Sequence, residues 1–181
     1  MDYLKKYNEY IEILQDYDID RFSKKLLERG FDKAPASSAY HGSEEGGLLK
    51  HNVKVCDIAL GIAEAVGYEN TAAVIIAALF HDIGKIGYKG KPNYVENILK
   101  SGKRSEAKPY EVNKELLGIP HEVISLQEVE NNIEIDEEIA HAILFHNGLY
   151  SGLGRELKGH ETKLQMIIHF ADLWESRCNY E

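Results

Sequence analysis

Residues 71–80 form a run that is apolar on every side of a helix and that ends directly in a histidine and an aspartate. The run reads TAAVIIAALF, and His81 and Asp82 follow it. Asn70 precedes the run and belongs to the residue types that cap helix N-termini. A helix that is apolar all round is buried among other helices. We therefore expect its polar end to lie in the middle of the protein.

The rest of the chain follows the same helical pattern. Apolar residues recur at helical spacing, and the alternation typical of strands is rare. Residues 92–100 and 108–114 are the exception, because they are predicted to pair as a short β-hairpin. The fold class is therefore predicted to be all-α, a helical bundle with a small irregular or β-hairpin excursion near residues 88–113. The predicted helices cover residues 3–14, 47–66 and 163–177, with shorter ones beginning at Asp20, Pro120 and Asp136.

Length and charge narrow the classes of function. The chain has 181 residues, the length of about one domain, so a single domain is expected, with N-terminal helices in 1–40 and a functional core in 41–177. Acidic residues outnumber basic ones by 30 to 21, which disfavours binding of duplex nucleic acid because phosphates need a surplus of Lys and Arg. Neither a signal peptide nor a membrane span is predicted, and a cytoplasmic location is expected.

Two aspartates lie in strongly apolar surroundings near several histidines. Asp82 follows the apolar run, and Asp172 lies within HFADLW of the last predicted helix. An ionised carboxylate is rarely buried unless it is paired or bound to a metal, whereas a single histidine beside an apolar face is more often structural. Two such carboxylates near several histidines predict a shared divalent cation. A ligand set of His and Asp without paired cysteines suits Mn, Fe, Co, Ni or Zn better than Ca or Cu(I).

These residues resemble the signature of the HD-domain metal-dependent phosphohydrolases. His51, His81-Asp82 and Asp172 reproduce its H…HD…D pattern, and the resemblance covers residues 41–177. The surrounding strings GGLLKHNVKV, LFHDIGKI, ILFHNG and IIHFADLWES are similar to the motifs of this family. Among the members of this family, the chain resembles the HD domains of bacterial exoribonucleases, those of CRISPR-associated helicase-nucleases, and small phage and bacterial HD proteins.

The resemblance implies a centre of one or two divalent transition-metal ions. Asp82 would bridge the two ions through its two carboxylate oxygens. Family members with two metals often have a histidine where Asn147 stands, so the second ion is expected to bind more loosely, and Mg is a further option there. The implied ligands are His51, His81, Asp82 and Asp172 for the first ion and Asp82, His121 and His146 for the second.

Substrate contacts are expected around this centre. Lys85 resembles the lysine of the family that faces the substrate phosphate, so Asp82 and Lys85 are the predicted catalytic residues; the alternative is a solvated lysine at a helix end. Eight basic residues lie between positions 85 and 114, either as a solvated loop or as a basic lip whose tyrosines stack a base. The predicted substrate-binding residues are Lys85, Lys108, Tyr110, Asn147 and His41.

The resemblance implies hydrolysis of a phosphoester by metal-activated water. The expected substrate is a nucleotide or a short or cyclic oligonucleotide. Two alternatives stay open: a 3′–5′ exonuclease acting on single-stranded nucleic acid, and a non-catalytic regulatory module that binds a metal or a nucleotide. The acidic net charge of −9 favours a small phosphorylated substrate over a strand, and the intact ligand set argues against the module.

Overall fold

The computed structural model describes residues 1–178, in which helices make up most of the regular structure. None of the helices in this part of the chain is long and apolar enough to cross a membrane. The helices are α1 (Tyr3–Ile13), α2 (Ile19–Glu28), α3 (Gly47–Val66), α4 (Thr71–Phe80), α5 (His121–Glu130), α6 (Glu137–Leu144), α7 (Gly154–Leu157) and α8 (Lys163–Cys178).

Helix α4 is the centre of the bundle. It packs against α3, α6 and α8, and all of its residues from Ala73 to Phe80 are buried. Asn70 caps its N-terminus by accepting a hydrogen bond from the backbone N–H of Ala73 at 3.1 Å. The residues that follow α4 are His81 and Asp82, and they are as buried as the helix itself. The expectation that this apolar run delivers polar groups to the interior is confirmed.

Two antiparallel hairpins form the excursion from the bundle. The first joins β1 (Gly87–Tyr88) to β2 (Lys91–Pro92), and the second joins β3 (Tyr94–Glu96) to β4 (Tyr110–Val112). The second hairpin was predicted. The first was not, because its two-residue turn has positive φ angles at a lysine, 49° at position 89, and at a glycine, 81° at position 90; such turns usually begin with Asn, Asp or Gly.

The all-α fold class with a small hairpin excursion is confirmed, and two local expectations need correction. Helix α2 begins before Asp20, at Ile19. Pro120 has an extended conformation and precedes α5 instead of starting it. His146 lies in the turn after α6. The division of the chain into N-terminal helices and a functional core stays a prediction.

A close backbone approach joins the end of α4 to the start of α5. Gly84 lies in the short 3₁₀ helix Ile83–Ile86, and a β-carbon at this position would be 2.2 Å from the carbonyl oxygen of His121. The Gly84 N–H also donates to the Ser125 hydroxyl at 2.9 Å. Only glycine allows this contact, which brings His121 next to the residues that follow α4.

We expect Gly84→Ala to lower the free energy of unfolding by about 1–3 kcal/mol, because the added methyl group forces the two backbones apart. Gly61→Ala in α3 is the matched control. A β-carbon at Gly61 has no neighbour within 4 Å, so this change should raise the free energy of unfolding by about 0.5–1 kcal/mol. Urea unfolding measures both variants. Equal stabilities would contradict the close packing described for Gly84.

Candidate metal centre

The carboxylate of Asp82 stands between two sets of imidazoles. Its Oδ1 atom lies 3.1 Å from Nε2 of His121 and 3.4 Å from Nε2 of His146. Its Oδ2 atom lies 3.5 Å from Nε2 of His51 and 3.6 Å from Nε2 of His81. Each oxygen of one side chain therefore serves a separate pair of histidines.

Asp172 from α8 lies on the side of His51 and His81. Its Oδ1 atom is 3.2 Å from Nε2 of His51 and 3.9 Å from Nε2 of His81. The rings of His81 and His146 have their centroids 4.7 Å apart, which joins the two halves of the cluster. The structure thus brings together all of the predicted ligands, from α3, the end of α4, α5, the turn after α6, and α8.

Hydrogen bonds to Nδ1 aim the rings of His81 and His146 at the centre. The Nδ1 atom of His81 contacts the carbonyl oxygen of Ala78, and that of His146 contacts the carbonyl oxygen of Ile143, each at 2.8 Å. With Nδ1–H donating to the backbone, Nε2 is the atom left with a free lone pair. A partner of this kind fixes both the tautomer and the orientation of a metal-ligating histidine.

Two buried glutamates contact the Nδ1 atoms of His51 and His121, and neither glutamate was predicted from the sequence. Glu175 is hydrogen-bonded through Oε2 to Nδ1 of His51. The Oε2 atom of Glu122 lies 3.3 Å from Nδ1 of His121. A signal for Glu175 existed in the sequence, because a residue three positions after Asp172 shares its helix face.

Buried atoms of the cluster lack partners. Within the described part of the chain, Nε2 of His51, Nε2 of His81 and Oδ1 of Asp82 have no hydrogen-bond partner. Buried polar atoms are normally satisfied, so these atoms require a ligand. Ligand atoms from His51, His81 and Asp82, and from Asp82, His121 and His146, lie within 4.8 Å of one another in each set. The donors therefore fit divalent metal ions.

Electrostatics keeps most of these donors in the form that binds a cation. Burial lowers the pKa of His81 to about 3, so this ring is neutral. Burial would raise the pKa of Asp82, but the charge of Lys85 outweighs this effect and holds the pKa well below its usual range. Burial also opposes the charge on His51, but the Asp172 and Glu175 carboxylates raise its pKa to about 9. Because a ligating His51 must lose its Nε2 proton, metal binding there is linked to proton release.

Asn147 is part of the second half of the cluster. Its Nδ2 atom lies 2.9 Å from Nε2 of His146 and 3.4 Å from Nε2 of His121. The same nitrogen donates to Oε1 of Glu122 at 3.0 Å. The Asn147 side chain therefore lies among the residues predicted to hold the second ion.

The other predicted substrate-binding residues differ in how close they lie to the cluster. Lys85 donates to Oδ2 of Asp82 at 2.5 Å, and its side chain is 17% exposed. The ring of His41 lies 5.2 Å from that of His51, measured between centroids. Tyr110 lines the same cavity as Lys85. Lys108 is exposed in the loop between β3 and β4, and the structure does not bring its side chain to the cluster.

Several residues of the basic lip, the basic residues between positions 85 and 114, contact other groups of the protein. Arg104 donates from Nε to the carbonyl oxygen of Pro109 at 3.1 Å, and its guanidinium lies 4.4 Å from the centroid of the Tyr110 ring. Lys91 and Lys114 pair with glutamates at the surface. The charges of these three residues are therefore engaged with neighbouring groups of the protein.

A comparison of the sequence with known protein families identifies the family of this chain. A family model described as the HDOD domain matches residues 31–149. The chain belongs to the HDOD domain family. The predicted relationship to HD-domain proteins is thereby confirmed. The HDOD domain match includes five of the six clustered ligands but ends before Asp172, whose place beside them comes from the packing of α8.

Two curated proteins are similar to this HDOD-domain chain. The 3′-5′ exoribonuclease YhaM of Geobacillus sp. (strain WCH70) is 26% identical over 186 residues, covering 98% of this chain and 53% of the relative. The dihydroneopterin 2′,3′-cyclic phosphate phosphodiesterase of Methanocaldococcus jannaschii is 28% identical over 153 residues, covering 82% and 53%. The chain thus spans about half the length of these relatives. No solved structure matches it.

We expect Glu175→Gln to weaken metal binding at the His51 side by about 10- to 100-fold, because His51 loses the carboxylate that orients its ring. Glu138→Gln is the matched control, since Glu138 also accepts a side-chain hydrogen bond, from Tyr68 at 2.9 Å, but lies outside the cluster. Calorimetric titration with Mn²⁺ measures both variants. Unchanged affinity in Glu175→Gln would contradict the orienting role of this residue.

Proposed function

We propose that this chain is a cytoplasmic, metal-dependent phosphohydrolase that cleaves a phosphoester of a nucleotide or of a short or cyclic oligonucleotide. The main support for the proposal is the position of the Asp82 carboxylate, whose two oxygens face two different sets of ligands. A carboxylate shared in this way is the arrangement that two-metal hydrolases use.

The proposed metal sites use the clustered residues in two groups. When bound, divalent ions would supply Lewis-acid chemistry by activating water and neutralising phosphate charge. Mn, Fe, Co, Ni and Zn suit both groups, and Mg is a further option for the second group. The first group consists of His51, His81, Asp82 and Asp172, and the second of Asp82, His121 and His146.

The side chains also define where the phosphate approaches. His51, His81 and His146 are fully buried, whereas the side chains of His121 and Asp172 are 26% and 16% exposed. Substrate therefore reaches the cluster from the side of His121 and Asp172. The buried histidines close the opposite side to water, which strengthens the electrostatic interactions at the centre.

Lys85 is the proposed electrostatic catalyst. The Asp82 carboxylate outweighs the effect of burial and raises the pKa of Lys85 above its usual value, so the ammonium stays charged. Its partial exposure lets it donate to a phosphate oxygen, where negative charge grows in the transition state. His41, Tyr110 and Asn147 are the further substrate contacts that we propose.

The activities of the two curated relatives support a phosphodiester as the substrate of this chain. Their names specify an exoribonuclease and a cyclic phosphate phosphodiesterase, and both of these activities break phosphodiester bonds. The exoribonuclease aligns along 98% of this chain, which supports a 3′–5′ single-strand exonuclease as the second candidate. Some HDOD domains are not catalytic, but this chain retains both sets of proposed ligands.

We expect Asp82→Ala to abolish hydrolysis and to weaken both ions, because it removes the shared ligand. His121→Ala should release mainly the second ion, since it touches only Oδ1 of Asp82. Metal content and turnover are measured together, with cyclic nucleotides and short single strands as substrates and with Mn, Co, Ni and Mg in parallel. Equal metal loss in the two variants, or no turnover of any substrate by the unaltered chain, would sink the proposal.

We expect Lys85→Ala to lower kcat by about 100- to 1,000-fold while both ions stay bound, because it removes charge stabilisation from the transition state. Lys100→Ala is the control, as Lys100 is an exposed lysine of the same segment. Steady-state kinetics and metal analysis of both variants check this outcome. If Lys85→Ala changed only KM, Lys85 would bind the phosphate equally in the ground state and in the transition state, which would contradict a catalytic role.

A further inference from the structure

The turn after α6, residues 145–148, carries a proposed ligand of the second ion. Nε2 of His146 lies 3.4 Å from Oδ1 of Asp82, and the side chain of Asn147 contacts the same Nε2 atom. The turn begins after Leu144, the last residue of α6, and the carbonyl groups at a helix end have no partner within the helix. A metal ligand must be held to within about 0.5 Å. Groups outside α6 are therefore needed to fix the backbone of this turn.

Helix α8 supplies partners for two consecutive carbonyl groups of the turn. Nε2 of Gln165 donates to the carbonyl oxygen of Phe145 at 3.0 Å. Nδ1 of His169 donates to the carbonyl oxygen of His146 at 2.8 Å. Gln165 and His169 are four positions apart, so they lie on the same face of α8. One face of α8 therefore holds the backbone on both sides of the proposed ligand.

The ring of His169 also packs against the backbone of Gly148. Gly148 has a φ of 55°, in the left-handed region, which glycine adopts without steric cost. A β-carbon at this position would lie 2.7 Å from Cε1 and 2.9 Å from Nε2 of His169. Glycine is therefore required both by the backbone conformation and by the space that the ring occupies. His169 thus contacts the backbone at the middle and at the end of the turn.

His169 differs from the histidines that face Asp82. Its Nδ1 atom is engaged by a backbone carbonyl. In the described part of the chain, none of the sets of side chains that could hold a metal ion includes His169. Although it lies three positions before Asp172 on α8, it reaches the centre only through the backbone of His146.

We propose that His169 is a positioning residue for the second ion. The hydrogen bond from Nδ1 of His146 to Ile143 fixes the rotation of the imidazole relative to α6. The hydrogen bond from His169 fixes the backbone from which that imidazole projects, so that Nε2 stays directed at Oδ1 of Asp82. The inference rests on the proposed function, because the second ion is part of the proposed centre.

Helix α8 then serves the two groups of ligands with different residues. Farther along the helix, Asp172 and Glu175 contact His51, which belongs to the first group. His169 contacts the turn that carries His146, which belongs to the second group. Loss of the His169 side chain is therefore expected to affect the second ion and to leave the first in place.

We expect His169→Ala to weaken binding of the second Mn²⁺ ion by about 10- to 100-fold, as for other residues that orient a metal ligand. Calorimetric titration gives the affinities of both ions. Electron paramagnetic resonance reports the ion pair, because two neighbouring Mn²⁺ ions give a spin-coupled signal. An unchanged affinity for the first ion shows that the variant is folded. His160→Ala is the matched control, since His160 is an exposed histidine outside the cluster.

Two further variants separate the hydrogen bond from the bulk of the ring. His169→Asn keeps an N–H donor on an atom bonded to Cγ, where Nδ1 of the histidine stands, and should restore binding of the second ion. His169→Gln carries its donor one bond farther from the backbone and should bind the second ion as weakly as His169→Ala. The asparagine variant is therefore expected to bind the second Mn²⁺ at least about 10-fold more tightly than the glutamine variant.

The outcomes separate this inference from the proposed function. An unchanged second affinity in His169→Ala, equal weakening of both ions, or equal affinities of the asparagine and glutamine variants overturns the positioning role. A single ion in the unaltered chain also overturns it, because no second ion then depends on His146. In each of these cases, hydrolysis of a phosphoester by the unaltered chain still supports the phosphohydrolase. Selective loss of the second ion in His169→Ala without hydrolysis by the unaltered chain upholds the positioning role and overturns the hydrolase.

Discussion

The carboxylate of Asp82 is ionised at the end of a helix that has no polar face. Moving a charge into such surroundings is costly unless it is compensated, and four imidazoles, Lys85 and the proposed cations supply the compensation. The remaining helices are arranged to deliver these partners. Helix α4 must be central because it is apolar, and Asp82 must be surrounded because α4 is central, so the packing of the bundle and the chemistry of the site have one cause.

Precision at this centre depends on residues that never reach the ions. Backbone carbonyls orient His81 and His146, while Glu175 and Glu122 orient His51 and His121. Because each ring has its Nδ1 atom engaged elsewhere, all four Nε2 atoms converge on Asp82. Because Gly84 has no side chain, its backbone can contact the backbone of His121.

The hairpin excursion gives the bundle a surface that helices alone do not provide. Tyr94 and Tyr110 of this excursion line a cavity that Lys85 also lines, and the guanidinium of Arg104 lies against the ring of Tyr110. A chain with a net charge of −9 attracts polyanions poorly at long range. Binding of the proposed phosphorylated substrate would therefore depend on short-range contacts with the proposed ions and with Lys85.

Local rules were sufficient for the main helices and for the ligand types. Gly67 ends α3 in a left-handed conformation and Asn70 caps α4, as their residue types predict, and the spacing of HD and its flanking strings indicated the family. The sequence also indicated the hairpin of β3 and β4, since strand residues flank a turn-rich segment. These features depend on neighbours within a few positions of the chain, and such neighbours can be read directly.

Only the tertiary structure decided which atoms meet. Glu175 reaches His51 across 124 positions of sequence, and Arg104 donates to Pro109 within its own hairpin. His146 lies in the turn beyond α6, and the packing of α6 against α4 brings it into the cluster. Residue type and spacing determine which groups are available for chemistry. Their contacts and orientations depend on how helices distant in sequence pack around α4, because burial and hydrogen bonding are set by neighbours in space.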